Sequence, residues 1–178
     1  TLSDTLSLHD ALPIWRGVAF GPKAPSSPSS LNYVVIDKAG EITDGLLQTQ
    51  PFRAALAFHS ATAEVKNVTI VNSAGDGLFS LDGDPTIQNA VVAFNLGLGV
   101  RFIGQQLPTI DKLLLFSSGP NVGLPTSTLV LTADPLLTNP AAGDFTAQPG
   151  SPLIDAGLPN GLAFFGDAPD LGGVENVQ

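Results

Sequence analysis

A short β-type motif recurs about every 22 residues through the middle of the chain, and that recurrence limits the possible folds more than any other feature. EVKNVTIVNSAGDGLFSL (64–81), TIQNAVVAFNLGLGVRFI (86–103) and TIDKLLLFSSGPNVGL (109–124) share one layout. Each opens on a β-branched apolar residue (Val65, Ile87, Ile110), followed by a polar residue and then Asn67, Asn89 or Lys112. A short apolar run comes next, then a Ser/Asn step, a Gly-containing turn and a second short strand. Leu56, Leu78, Val100 and Val122 recur at intervals of 22. Strands this short cannot close a core individually. Stacking one repeat on the next buries their inward faces and pairs their backbones.

The spacing separates the repeat architectures. Ankyrin and tetratricopeptide units are longer and helical, and no sustained 3.6-residue period runs through this chain. Leucine-rich repeats overlap in length, but their L-x-x-L-x-L-x-x-N signature does not recur. A parallel β-helix remains, with 22–23 residues per coil in three short strands and three turns. Side-chain alternation then predicts an inward column of Leu56, Leu78, Val100 and Val122, with Phe58, Ser80 and Phe102 inward two residues further on. Ala57, Phe79 and Arg101 fall on the outward parity, with His59, Leu81 and Ile103 in a parallel outward row.

Composition supports an all-β reading. Gly and Pro total 34 of 178 residues, a turn-rich balance in a chain long enough for one domain with a sizeable core. A net charge of −9 disfavours an electrostatic grip on nucleic-acid phosphates. No apolar run approaches the ~20 residues that cross a bilayer as a helix, so no transmembrane segment is expected. The absence of cysteine excludes disulfides, thiolate nucleophiles and Cys-based zinc sites. The chain also lacks methionine, even at position 1, and reads as a fragment of a longer protein or a processed product.

Thr5 to Ile14, TLSLHDALPI, resembles the in-frame translation of a common sequencing-library adapter. Residues 1–14 are therefore expected to be an artefactual leader, and His9 and Asp10 are not recruited to any site. The remainder carries 14 acidic and 7 basic side chains.

WRGVAFGPKA (15–24), LNYVVIDKAG (31–40) and PTIQNAVVAFNLGLGV (85–100) resemble coils of bacterial right-handed parallel β-helix repeat proteins of the pectate-lyase-like superfamily. ADPLLTNPAAGDFTAQPGSPLIDAG (133–157) and FGDAPDLGGVE (165–175) are similar to their closing segment. The resemblance covers nearly all of the chain after residue 14. It implies coils over 15–132, a Pro/Gly-rich capping segment over 133–178, and an extracellular or cell-surface location. Seven of the 15 prolines lie after residue 124, as expected of a strap covering the open edge of the stack.

Candidate chemistry is sparse. Asn67 and Asn89 sit at matching positions, and their amides are expected to hydrogen-bond along the stack. Asn67-Val68-Thr69 matches the glycosylation acceptor pattern but lies on an expected strand. Asp82 and Asp84 in LDGDP could offer carboxylates to calcium, although Asp residues flanking a turn Gly more often cap local backbone. Asp37, Glu41 and Asp44 form a second acidic loop with the same two readings. No cofactor is required; calcium is the one that Asp82 and Asp84 would hold. His59 is the only histidine after residue 14, and no G-x-S-x-G motif accompanies it. Phe79 beside Arg101, with His59 nearby, could hold a sugar ring and its carboxylate; a covered cation–π pair is the plainer alternative. Lyase chemistry needs a basic side chain beside calcium-binding acids, and glycoside hydrolysis needs paired carboxylates. Neither set converges in the sequence.

Three functions follow in order. The first is a surface module for adhesion or glycan interaction. The second is the C-terminal portion of a polysaccharide lyase or glycoside hydrolase. The third is a rigid surface-fibre spacer. The partner in the first two is a polysaccharide or cell-surface glycan.

Overall fold

In a computed structural model of the protein, residues 17–22, 29–40 and 53–176 are described. Residues 1–14, with the adapter-like stretch, and Glu41 and Asp44 of the second acidic loop lie outside them. The described residues are all-β, and up to residue 103 their strands alternate along the chain between two parallel sheets. The first sheet orders β1 (Val18–Phe20), β3 (Ala54–His59), β5 (Asp76–Leu81) and β7 (Val100–Ile103) as 1-3-5-7. The second contains β2 (Ser29–Asp37), β4 (Ala63–Val71), β6 (Thr86–Ala93), β8 (Thr109–Ile110), β9 (Lys112–Phe116) and β10 (Leu129–Leu131). Its path runs 10-9-6-4-2, with β8 also on β6. A small antiparallel pair, β11 (Leu137–Asn139) and β12 (Asp144–Ala147), flanks a single 3-10 turn over Pro140–Ala142. No helix among the described residues is long and apolar enough to cross a membrane.

Register follows the repeat. Leu56 pairs with Leu78 and Leu78 with Val100, while Phe58, Ser80 and Phe102 pair two residues further along. All six are buried between the sheets. Phe20 extends the second column, its ring stacked on Phe58 with centroids 5.2 Å apart. Val65, Val68 and Ile70 supply the opposite wall from β4, with Ile87, Ala90 and Val92 from β6. Between Val65 and Val68 the inward parity shifts by one residue, because Asn67 adopts a left-handed φ of 54°. Asn89 does the same at 57°. Asn tolerates this region better than other side chains, which explains its recurrence at the bend. A second bend repeats at Ser60, Asp82 and Gly104, all at positive φ. At Gly104 a Cβ would also collide with the Asp82 carboxylate.

Two expectations are corrected. Val122 is not in the inward column: it pairs with Arg101 instead of Val100 and is 44% exposed. The chain between Phe116 and Gly119 is two residues shorter than the matching stretch from Ala93 to Leu98, so the register drops from 23 to 21 and Val122 falls on the outward parity of Arg101. Among the described residues the C-terminal segment packs mainly on a sheet face and leaves the edge at residues 129–131 exposed. Leu137, Phe145, Leu153 and Leu171 pack on the outer face of the second sheet, against Val35, Val71, Val91 and Leu114. Gly173 allows the close approach, since a Cβ there would strike the Val34 carbonyl oxygen. Edge strand β10 keeps Leu129 58% and Val130 39% exposed.

The asparagine pair ties the segment down. Leu158 N–H donates to Asn89 Oδ1 (2.7 Å), and Asn89 Nδ2 donates to Leu158 O (2.8 Å) and Asn67 Oδ1 (2.9 Å). Asn160 Nδ2 completes the set with a 2.9 Å bond to Asn67 Oδ1. Both ladder side chains are fully buried, so the glycosylation pattern at Asn67 offers no accessible amide.

Candidate functional site

The outward face of the first sheet brings His59, Phe79 and Arg101 together, as the repeat requires. Phe79 is in register with Ala57 and Arg101, and His59 with Leu81. The chemistry differs from the expected aromatic–guanidinium platform. Phe79 is fully buried in a small cluster with Ala54 and Ala57, so its ring presents no face to a ligand. Its aromatic neighbour is His59, with centroids 5.4 Å apart and planes tilted by 49°. Arg101 turns to Asp76, donating from Nε (2.7 Å) and Nη2 (3.3 Å). Asp76 also accepts the Leu98 N–H at 2.8 Å. A fork-shaped guanidinium on a nearly buried carboxylate is a fixed, largely neutralised pair. Asp76 lies three residues before the partner of Arg101, within reach of a long side chain but off the direct row that sequence alignment of the repeats brings out.

Burial pushes the His59 imidazole below its ordinary 6.5. The fold favours the neutral ring, so the unfolded chain takes up a proton first as pH falls. The stability contribution is complete above 6.5 and declines on acidification below it. His59→Gln is expected to remove that slope when Tm is followed between about pH 8 and pH 5. Equal slopes in both chains would assign the acid sensitivity elsewhere.

Asp82 and Asp84 point to opposite neighbouring repeats. Asp82 Oδ1 accepts the Gln105 N–H at 2.6 Å, and Asp84 Oδ1 accepts the Thr62 hydroxyl at 2.5 Å. Asp82 thus holds a backbone N–H of the following repeat and Asp84 a side-chain hydroxyl of the preceding one. Among the described residues, no group of three or more His, Asp or Glu side chains is arranged to hold a metal ion.

A separate concavity offers a ligand a different set of groups. A groove of about 430 Å³ is lined by Lys38, Asn72, Phe94, Pro140 and Ala141. It lies where the third bend of successive repeats meets the 3-10 turn of the C-terminal segment. Lys38, Asn72 and Phe94 all hold left-handed backbones, with φ of 52°, 54° and 58°. For a bulky phenylalanine that conformation is costly and is sustained by its surroundings. The Phe94 N–H bonds to Phe116 O at 3.0 Å, and its ring meets the Phe116 ring edge-on at 5.6 Å. The Asn72 amide is oriented by Nδ2 donating to Asp37 Oδ1 at 2.8 Å, and Lys38 Nζ lies 3.9 Å from Asp37. The groove therefore combines a half-buried aromatic ring, a fixed amide and an ammonium. Apolar periodicity does not reveal it, because its residues sit at bends; the one sequence signal is a Phe where the neighbouring repeat has Asn.

No protein-family model matches the chain, and no curated protein or solved structure matches it.

Proposed function

We propose that this chain is a right-handed parallel β-helix module of the pectate-lyase-like kind that binds an extracellular glycan without cleaving it. The parallel sheets with one-repeat register and the buried asparagine pair support the fold assignment. The Phe94 groove carries the functional reading. An aromatic ring offers an apolar face to the C–H face of a sugar, while an amide and an ammonium answer its hydroxyl groups. A site with few but fixed polar groups around an apolar floor suits recognition better than proton transfer. Asp37 is the groove's neighbouring carboxylate, but it is bonded to Asn72, and among the described residues lining the groove there is no acid to pair with it, as hydrolysis would require.

The test is retention on immobilised or gel-embedded polysaccharides (a neutral glucan, a xylan, polygalacturonate), with product size followed in parallel. The protein is expected to be retarded by at least one of them while chain length and reducing ends stay constant. Phe94→Leu and Asn72→Ala are each expected to weaken binding about tenfold. Arg101→Ala should leave it unchanged. Retardation that survives both groove variants would defeat the site assignment, and shortening of the polymer would establish the lyase or hydrolase reading.

A further inference from the structure

Asn160 is followed by Gly161, and the surroundings of this pair make it more than a loop. The two residues belong to an irregular stretch of the C-terminal segment, with Gly161 exposed at φ +82° and open space where a side chain would stand. Among the described residues the Gly161 N–H makes no hydrogen bond. The Leu162 N–H donates to Asn160 Oδ1 at 3.3 Å, polarising the side-chain carbonyl. At the same time Asn160 Nδ2 is the donor that secures the segment to Asn67 Oδ1.

We propose that Asn160–Gly161 is a site of spontaneous deamidation, and that conversion irreversibly breaks the Asn160–Asn67 clip, leaving Leu158 as the segment's remaining hold on the asparagine pair. The Gly161 backbone nitrogen loses its proton and bonds to Asn160 Cγ. The Leu162 N–H stabilises the oxygen of the resulting adduct, the Cγ–Nδ2 bond breaks, and nitrogen leaves as ammonia. Water then opens the cyclic imide at either carbonyl, giving an aspartyl or isoaspartyl residue. No reactant besides water is needed. Because the leaving nitrogen is held by Asn67, cyclisation proceeds from moments when the clip is open, and the product cannot close it again.

The reason lies in hydrogen-bond polarity. Leu158 N–H fixes Asn89 Oδ1, which aims Asn89 Nδ2 at Asn67 and leaves Asn67 presenting its oxygen to position 160. A carboxylate there meets an acceptor, and Asn67 cannot turn its amide around without opposing two NH2 groups.

The experiment incubates the full chain in mildly alkaline buffer and maps each asparagine by peptide mass spectrometry, with Tm and segment hydrogen exchange read from the same samples. Asn160 is expected to convert faster than exposed Asn121, with a Tm lower by several degrees and increased exchange around Leu158. Asn160→Ala, which cannot deamidate there, should keep its starting Tm through the incubation. Asn160→Asp should melt below Asn160→Ala. Conversion at Asn160 no faster than at Asn121, or complete conversion with unchanged Tm and exchange, overturns the proposal.

Discussion

Leu78→Asp is expected to give no folded protein. Leu78 is fully buried mid-column, with Leu56 on one side and Val100 on the other. The inter-sheet core around it is apolar, so an aspartate there has no cation to meet and an ionised carboxylate is far too costly to bury. Leu78→Ala isolates the packing contribution: lost burial and the cavity should destabilise by roughly 2–5 kcal/mol. Ser80, two residues along in the same strand, already provides a small inward side chain between Phe58 and Phe102, which limits how far the walls can collapse. The loss should therefore fall in the upper half of that range. Urea unfolding of Leu78→Ala within about 1 kcal/mol of the parent would contradict the column.

The second large effect concerns Asn89. Truncation to alanine removes the partners of both Leu158 backbone groups and one of the two donors to Asn67. It also leaves a non-Gly, non-Asn residue at φ 57°. Buried polar groups without partners cost about 1–3 kcal/mol each, so a loss of roughly 3 kcal/mol, or about 10 °C in Tm, is expected. Asn89→Gly separates the causes, since it relieves the backbone but not the lost hydrogen bonds. If glycine restores nearly all of the stability, the amide network contributes little and the bend alone matters. Persistence of most of the loss in Asn89→Gly supports the network.

What could be read from the residues was whatever the repeat and two-residue alternation control. Leu56, Leu78 and Val100 inward, Phe58, Ser80 and Phe102 beside them, and the Asn67–Asn89 bond all follow from matching positions one repeat apart. Parity failed at Val122 because its pairing partner lies 21 residues back, not 22, and a one-residue change in register moves a side chain to the other face. Phe79 shows a different limit. Its outward parity is right, yet Ala54 and Ala57 pack around it, and alternation says which way a side chain points without saying what covers it. Asp76 was missed as the partner of Arg101 because the guanidinium reaches diagonally across the repeat. The C-terminal segment was legible as a cover, but Leu137, Phe145, Leu153 and Leu171 follow no period, so the surface they cover was not. The Phe94 groove depends on left-handed bends and on that same segment. Both arise only after the chain has folded back on itself.

The separation along the chain between bonded partners has a consequence in time. The asparagine pair joins residues 22 apart, whereas the bonds from the C-terminal segment span 69 residues at Leu158, 104 at Gly173 and 130 at Ala163. Closing a loop costs about 0.6 kcal/mol more for each doubling of its length, so the longest of these closures is dearer by about 1.5 kcal/mol than a step between repeats. The repeats are also synthesised first. A nascent chain can build its inner core one repeat at a time, while Val35, Val71, Val91 and Leu114 face water until Leu137 to Leu171 have been made. During that interval the growing protein carries an uncovered apolar sheet face, and residues 137–171 are what withdraw it from other chains.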